Sequence, residues 1–258
     1  MKIALTGGAA GIGADVAVKL KDDGHHVTAF DIARPTKGVD HWIETDLSDP
    51  TSISAALAQV DGPFDALINN AGLPPRDGLE ETILKVNFFG LKAMTAGMLG
   101  KLAPGASIVN VASRAGAMWR DNLDEVKALL ALPIEQIPDF IATRALTPTR
   151  AYNLSKEAVI VLSMAQTEAM IARGFRINSV SPAAVSTGIL DVFAKAYGAP
   201  MAKNLARAGR PGQPDEIADV IVFMASPASA WIKGQDIVID GGISSMNLSD
   251  AIGLSNVG

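Results

Sequence analysis

A single α/β domain built on a doubly wound parallel sheet is what the sequence predicts, and three observations predict it. Short apolar runs rich in Val and Ile alternate with stretches of helical period along most of the chain. The runs are apolar at consecutive positions rather than at every second one, the pattern of strands covered on both faces. Between the first run and the first helix lies "TGGAAGIG", Thr6 to Gly13, a glycine-rich turn at the place where an open α/β sheet takes up phosphate. Together these make the expected fold Rossmann-type, with helices on both faces of the sheet.

Taken in order, "KIALTG" reads as the first strand, and a helix from about Ile12 to Asp23 closes at Gly24, a residue suited to the left-handed end of a helix. "HVTAFD" is the second strand and "WIETDL" the third, with a link after Asp31 too short for a normal crossover helix. "SDPTSISAALAQV" opens with a capping residue and a first-turn proline, and is expected to run as a helix to Val60. "ALINNAG" is the fourth strand, Leu79 to Leu102 a long helix, and "SIVNVAS" the fifth strand. Beyond Ser113 the rhythm breaks: Met118 to Arg150 is polar and helical in pieces, with Leu123, Val126, Leu129 and Leu130 on one side and breaks expected at Pro133 and Pro138. Regular structure resumes with the helix of Tyr152, the strand "RINSVSP", a helix from Pro214 to Ala225 and the strand "DIVIDGG". From Ile243 onward the chain reads as an extended tail.

No repeat, low-complexity tract or linker divides the sequence, and 258 residues suit one α/β domain. The reading is one domain over residues 1–258, with an insertion at 118–150 and a substrate lid at 188–210, where Phe193, Tyr197, Met201 and Leu205 suggest an apolar pocket or lid packing.

Composition excludes several function classes. A net charge of −5 gives no footprint for nucleic acid or an anionic membrane. The absence of cysteine removes a disulfide framework, a thiolate zinc site and a Cys nucleophile. His25, His26 and His41 have no metal-ligand spacing and read as surface turn residues, so no metal is expected. The apolar start is interrupted by glycines and Asp15, unlike a signal peptide, and no uncharged run is long enough to span a bilayer. A soluble, cytoplasmic protein is expected.

The glycine turn carries the first functional signal. Gly7, Gly11 and Gly13 let the backbone turn tightly and approach a pyrophosphate, beside Ile12 at the start of the helix, whose N–H groups face the charge. No Lys-Ser/Thr follows, so this is no P-loop. Asp31, followed by Ile32, ends the second strand at about the spacing of a ribose-binding carboxylate, some 20 residues past the glycines. A carboxylate there favours NAD over NADP; Arg34 nearby is a guanidinium that could take a phosphate, and is expected in solvent. In "AYNLSKEAVI", Tyr152 and Lys156 lie four apart and share a helix face, a pattern too common to name a function by itself.

With "NNAG" at Asn69 to Gly72, "VN" at Val86–Asn87, "VNVAS" ending at Ser113, "YNLSK", "SPAAVSTGIL" from Ser181 and the closing "DGG" in order, the chain resembles the compact short-chain dehydrogenase/reductases over essentially its whole length. The resemblance implies that Tyr152 is the general acid/base and Lys156 its neighbour, which also holds the nicotinamide ribose. It implies that Ser113 positions the substrate oxygen, and that Asn87 kinks its helix and holds a water in a proton relay. Asp46 and Leu47 would border the adenine, Asn70, Ala71 and Gly72 would line the cofactor near its ribose, and Val185 and Thr187 would meet the carboxamide. Where the family usually has glycine after Pro182, this chain has Ala183, which changes the local backbone. The short link after Asp31, the long stretch between Ser113 and Tyr152, "GAMW" and "SAWIKGQDIVIDGGISS" resemble the branch acting on hydroxysteroids and coniferyl-type aryl alcohols. Trp119 would then either stack on a flat substrate or sit in the insertion's core.

The implied activity is NAD-dependent interconversion of an alcohol and its carbonyl, on an apolar cyclic or aromatic small molecule, by a homo-oligomer, dimer or tetramer. The chemistry needs a proton to leave or join the oxygen, and an ammonium within about 4–6 Å together with the positive charge of the oxidised nicotinamide is expected to favour the phenolate of the tyrosine. The alternatives are a catalytically silent nucleotide-sensing or scaffold protein, which an intact Asn-Ser-Tyr-Lys set disfavours, and an epimerase or dehydratase, which the missing C-terminal substrate domain disfavours.

Overall fold

The computed structural model describes residues 1–254, which form a seven-stranded parallel sheet in the order β3-β2-β1-β4-β5-β6-β7. The strands are β1 (Lys2–Thr6), β2 (His26–Asp31), β3 (His41–Glu44), β4 (Phe64–Asn69), β5 (Leu102–Val111), β6 (Arg176–Pro182) and β7 (Asp236–Ile239). The helices are α1 (Gly11–Asp22), α2 (Pro50–Leu57), α3 (Glu80–Leu84), α4 (Leu91–Met98), α5 (Leu123–Ala131), α6 (Ile137–Arg144), α7 (Pro148–Ala165), α8 (Thr167–Ala172), α9 (Leu190–Ala208), α10 (Pro214–Ala225) and α11 (Ile243–Ala251). The order reverses between β1 and β4, so their carboxyl ends flank the crevice in which such sheets bind ligands.

The continuous apolar strands follow from burial on both faces. Ile3 and Leu5 of β1 join Ile68, Val109 and Ile221 on one face, while Ala4 joins Phe30, Leu67, Met94 and Ile108 on the other. A third cluster, holding Leu84, Phe88, Val126, Leu129, Phe140 and Leu154, packs α5 and α6 onto α7 and its neighbours. The apolar face of α5 is thus covered by the chain's own domain, through Val126 and Leu129, with Leu123 and Leu130 half-buried.

Several expectations change. The third strand stops at Glu44 and α2 at Leu57, short of Val60. The long helix ends at Met98 with a 3-10 turn, Leu99–Lys101, and Leu102 already belongs to β5. Its middle, Lys85–Gly90, is a π-helical turn around Asn87, the kink expected there. Pro138 does not break a helix but starts one, in the first turn of α6, where its missing N–H costs nothing. His26 and His41 lie at the starts of β2 and β3 rather than in turns, exposed on their strands, and His25 is half-buried with Nδ1 3.3 Å from the terminal amine. The link from Asp31 to His41 has no helix, as its length requires.

The extended tail is also corrected: Ile243–Ala251 is helical. Asp240 makes it so, its carboxylate accepting from the N–H groups of Gly242 (3.0 Å) and Ser244 (2.7 Å). Only Ile243 of this helix is buried, so no apolar stripe marks it in the sequence. The rest of the tail, residues 255–258, lies outside the described residues. No described helix is long and apolar enough to cross a membrane.

Candidate active site

The glycine turn is shaped by what it touches. Gly7 has φ +72°, and a Cβ there would lie 2.7 Å from the Ala71 Cα. A Cβ on Gly13 would lie 1.9 Å from the Gly7 carbonyl oxygen, so helix and turn meet with no room for a side chain. Gly11 (φ +55°) faces the Thr187 methyl, 3.5 Å from where its Cβ would be. Asn70 Nδ2 donates to the Gly7 carbonyl (2.8 Å), and Thr6 Oγ1 accepts from the N–H groups of Asn70 (3.1 Å) and Ala71 (3.2 Å). These bonds stitch the ends of β1 and β4 together. The first turn of α1 has neither a side-chain cap nor an acidic residue, leaving its N–H groups for an anion. A cradle that glycine alone permits, at a helix N-terminus, fits the pyrophosphate of a dinucleotide.

Asp31 stands at the end of β2, its Oδ2 accepting from Ala9 N–H and its Oδ1 from Ala33 N–H, both at 2.9 Å. It holds the glycine turn while keeping acceptor capacity for a ribose diol. Arg34 is exposed and lies 5.8 Å from the Trp42 ring. Ile32 is exposed beside it. Asp46 sits on the rim, bound to Ser48 N–H (2.8 Å) and hydroxyl (2.7 Å), whereas the Leu47 side chain is buried in the core. Val185 and Thr187 follow β6 in a turn closed by Thr187 N–H to the Val185 carbonyl (2.8 Å).

The second half of the site collects Ser113, Tyr152, Lys156 and Asn87. Ser113, just past β5, is fixed by Ala115 N–H donating to its Oγ at 3.1 Å and by its hydroxyl donating to the Pro182 carbonyl at 3.5 Å, and it stands close enough to the Tyr152 hydroxyl to favour its ionised form. Lys156 lies on the same face of α7, its ammonium 5.9 Å from the Tyr152 ring centroid and donating to the Val111 carbonyl at 2.8 Å. Gly72 closes the far side: a Cβ there would stand 3.3 Å from Asn87 Oδ1 and 3.4 Å from Lys156 Nζ. Asn87 Oδ1 accepts from Leu73 N–H (2.7 Å), and its Nδ2 donates to the Leu73 carbonyl (3.0 Å) and the Ser155 hydroxyl (3.3 Å). All four side chains that the sequence places at the reaction are therefore brought to one spot.

Electrostatics departs from the expectation. Burial pushes Tyr152 up to about 12, against the lowering effect of Ser113, and burial pulls Lys156 down to about 8. Within the chain itself desolvation sets the direction for the tyrosine, and the charge of an oxidised nicotinamide would act against it. Lys156 can still hold or release a proton near neutral pH.

Helix α9 lies against Tyr152. Phe193 of α9 meets Tyr152 edge-on at 5.3 Å and 63°, Tyr197 stacks beyond it at 6.3 Å and 21°, and the Tyr197 hydroxyl donates to Asn153 Oδ1. Met201 and Leu205, farther along α9, are half-buried. Gly198 (φ 51°, ψ −132°) kinks the helix. Trp119 is half-buried against the cluster that also holds Tyr152 and Phe193, with Arg120 4.2 Å from its ring. Thr6, Asn153 and Ser155 escaped the sequence reading because lone polar residues in apolar elements announce no partner, and Leu73 because it takes part only through its backbone. No metal-ligating cluster occurs among the described residues.

Comparison with known proteins agrees with this geometry. Residues 2–123 match the family model of the short chain dehydrogenases, and residues 138–244 that described as enoyl-(acyl carrier protein) reductase. The chain is 36% identical over 247 residues to the coniferyl-alcohol dehydrogenase of Pseudomonas sp. (strain HR199 / DSM 7063), covering 95% of this chain and 96% of that one. It is 32% identical to the 3-alpha-hydroxysteroid dehydrogenase/carbonyl reductase of Comamonas testosteroni, covering 93% and 95%. Among solved structures, the 3-alpha-hydroxysteroid dehydrogenase from Pseudomonas sp. B-0831 complexed with NADH superposes with a TM-score of 0.82 at 29% identity, covering 96% and 98%.

Proposed function

Since the chain belongs to the short-chain dehydrogenase family and is a nicotinamide-dependent oxidoreductase of alcohols and their carbonyls, we propose that its cofactor is NAD and its substrate an apolar aromatic or cyclic alcohol. The observation that carries the reaction is Ser113 at the end of β5 standing beside Tyr152, with Lys156 on the same helix face and next to Gly72 at the end of β4. Gly7, Gly11, Ile12 and Gly13 would hold the pyrophosphate, Asp31 with Ile32 the adenosine ribose, and Asp46 and Leu47 the adenine edge. Asn70, Ala71, Gly72, Tyr152 and Lys156 would line the nicotinamide ribose, with Val185 and Thr187 at the carboxamide.

When bound, the nicotinamide would supply the hydride acceptor and, oxidised, a positive charge beside the tyrosine. In this reading Ser113 holds the substrate oxygen by a hydrogen bond and Tyr152 takes its proton. Lys156, pulled down to about 8, passes a proton onward, and Asn87 anchors the turn after β4 through Leu73. NAD choice is supported by Asp31, whose carboxylate accepts ribose hydroxyls and repels a 2′-phosphate, and by Arg34 standing apart at the Trp42 ring. The substrate class is supported by the Phe193–Tyr197 wall above Tyr152 and by the names of the two curated relatives.

The same reading takes residues 1–258 as one domain with an insertion at 118–150 and a lid at 188–210, working in the cytoplasm as a dimer or tetramer. Exposed Phe223, Trp231 and Val238 near edge strand β7 support assembly. Nicotinamide absorbance with coniferyl alcohol, cinnamyl alcohol, cyclohexanol and a 3α-hydroxysteroid, each with NAD and NADP, tests the proposal. Turnover of small polar alcohols alone would overturn the substrate class, and faster turnover with NADP would overturn the cofactor.

A further inference from the structure

A charged cluster outside the reaction site ties the insertion to the helix that carries Tyr152. Arg150, in the first turn of α7, reaches two turns along the helix to Glu157, with Nη1 2.9 Å from Oε1 and Nη2 2.7 Å from Oε2. The same guanidinium grips Glu125 of α5, its Nε 2.9 Å and Nη2 2.6 Å from Oε2. Asn122, at the start of α5, donates to Glu157 Oε1 at 2.8 Å. The Glu157 side chain is 1% exposed and those of Arg150 and Glu125 24% and 25%. Burial works against the Arg150 charge, but the two carboxylates outweigh it and raise its pKa.

Buried ion pairs add little net stability over well-packed apolar side chains, so stability does not account for the cluster. A forked guanidinium fixes direction as well as distance, which suits setting a helix in register. Tyr152 lies between Arg150 and Glu157 in sequence, and Lys156 adjoins Glu157. The turn after Ser113 rests on the same stretch: a Cβ on Gly116 would stand 2.8 Å from the Lys156 carbonyl carbon and 2.9 Å from Glu157 N. The chain from Ser113 thus touches α7 at Gly116 and is bound to it again, through Asn122, at Glu157.

We propose that Asn122, Glu125, Arg150 and Glu157 form a clamp by which the insertion sets the position of α7, so that the Tyr152 hydroxyl meets that of Ser113. They are positioning residues, and the clamp rests on the reading of Tyr152 as acid/base. Removing it leaves the pyrophosphate and adenosine ends of the site untouched, because none of the four belongs to β1, α1 or β2. Its loss is felt along α7, mainly in the reacting geometry and only weakly in the hold on the nicotinamide ribose.

The test uses Asn122→Ala/Glu125→Ala, which keeps Arg150 paired with Glu157 and strands no buried carboxylate. Oxidation of cinnamyl alcohol by NAD is followed by absorbance, NADH binding by fluorescence, and folding by circular dichroism. The expected result is a folded protein with NADH affinity within about 2-fold of wild type and kcat lowered on the order of 10-fold. In a Tyr152→Phe background the same pair should lower the residual rate by less than about 2-fold, because the two act through one group. A kcat within about 2-fold of wild type, an equal proportional loss in both backgrounds, or a parallel loss of NADH affinity would each overturn the clamp. Should the double variant fail to fold, Glu125→Gln alone is read by the same criteria, with a smaller kcat loss expected. Normal turnover by Tyr152→Phe itself would remove the acid/base reading and the clamp with it; an inactive Tyr152→Phe beside a normal clamp variant would remove the clamp only.

Discussion

Gly13→Ala sets two effects of opposite sign against each other. Gly13 lies inside α1 with no left-handed φ, so alanine should favour the helix by about 1 kcal/mol. Against this, the added Cβ would stand 1.9 Å from the Gly7 carbonyl oxygen and 2.3 Å from Asn70 Nδ2. Ordinary contact needs about 3.5 Å, so turn and helix would have to part by roughly 1.5 Å. The separation breaks the 2.8 Å Asn70–Gly7 hydrogen bond, worth about 1 kcal/mol, and overpacking adds about 1–3 kcal/mol. The clash wins, and stability should fall by about 1–3 kcal/mol in urea titration. A cradle displaced by more than 1 Å should also lower kcat/KM for NAD on the order of 10²-fold. Gly100→Ala, with nothing within 4 Å of its Cβ and no left-handed φ, is the control and should change neither property. NADH binding by Gly13→Ala at wild-type affinity would refute the reasoning, because it would mean the turn has slack that these contacts deny.

Four further outcomes are expected. Tyr152→Phe should fold and bind NADH while losing on the order of 10²–10⁴ in kcat, measured by single-turnover absorbance. Asp31→Ala should narrow the preference for NAD over NADP by about 10-fold in kcat/KM, through loss of a charge-assisted bond to ribose. Because Tyr152 is pushed up to about 12 and must be deprotonated to act as base, alcohol oxidation should accelerate with rising pH, and a profile falling above neutrality would contradict that. Lys156, lowered from 10.5 to about 8, binds its proton less well folded than unfolded, so it costs stability below pH 8 and the cost fades as pH rises toward 10.5. Lys156→Met should therefore raise unfolding stability at pH 7 by about 2 kcal/mol, after allowing about 1 kcal/mol for the lost bond to Val111. The gain should vanish near pH 10.5 and catalysis should suffer, a difference read from urea titrations at the two pH values.

The parts of this protein legible in its sequence are those whose signals are local. Apolar runs from Ile3 to Leu5 and from Ala66 to Ile68 read as doubly buried strands because every residue in them meets a core. The glycine turn, the Asp49 cap with Pro50 behind it, and the shared face of Tyr152 and Lys156 are each contained within a few residues. What tertiary structure decided are pairings between distant residues and the solvent each one keeps. Asp240 turns an apparent tail into α11, Arg150 and Glu125 join helices whose sequences name no partner, and Phe193 meets Tyr152 from 41 residues away. The tyrosine's pKa belongs to the same class. A nearby lysine is visible in the sequence and argues for a lowered value. The burial that reverses the direction exists only once β5, α7 and α9 have closed around the ring, because desolvation depends on everything that excludes water and not on any one neighbour.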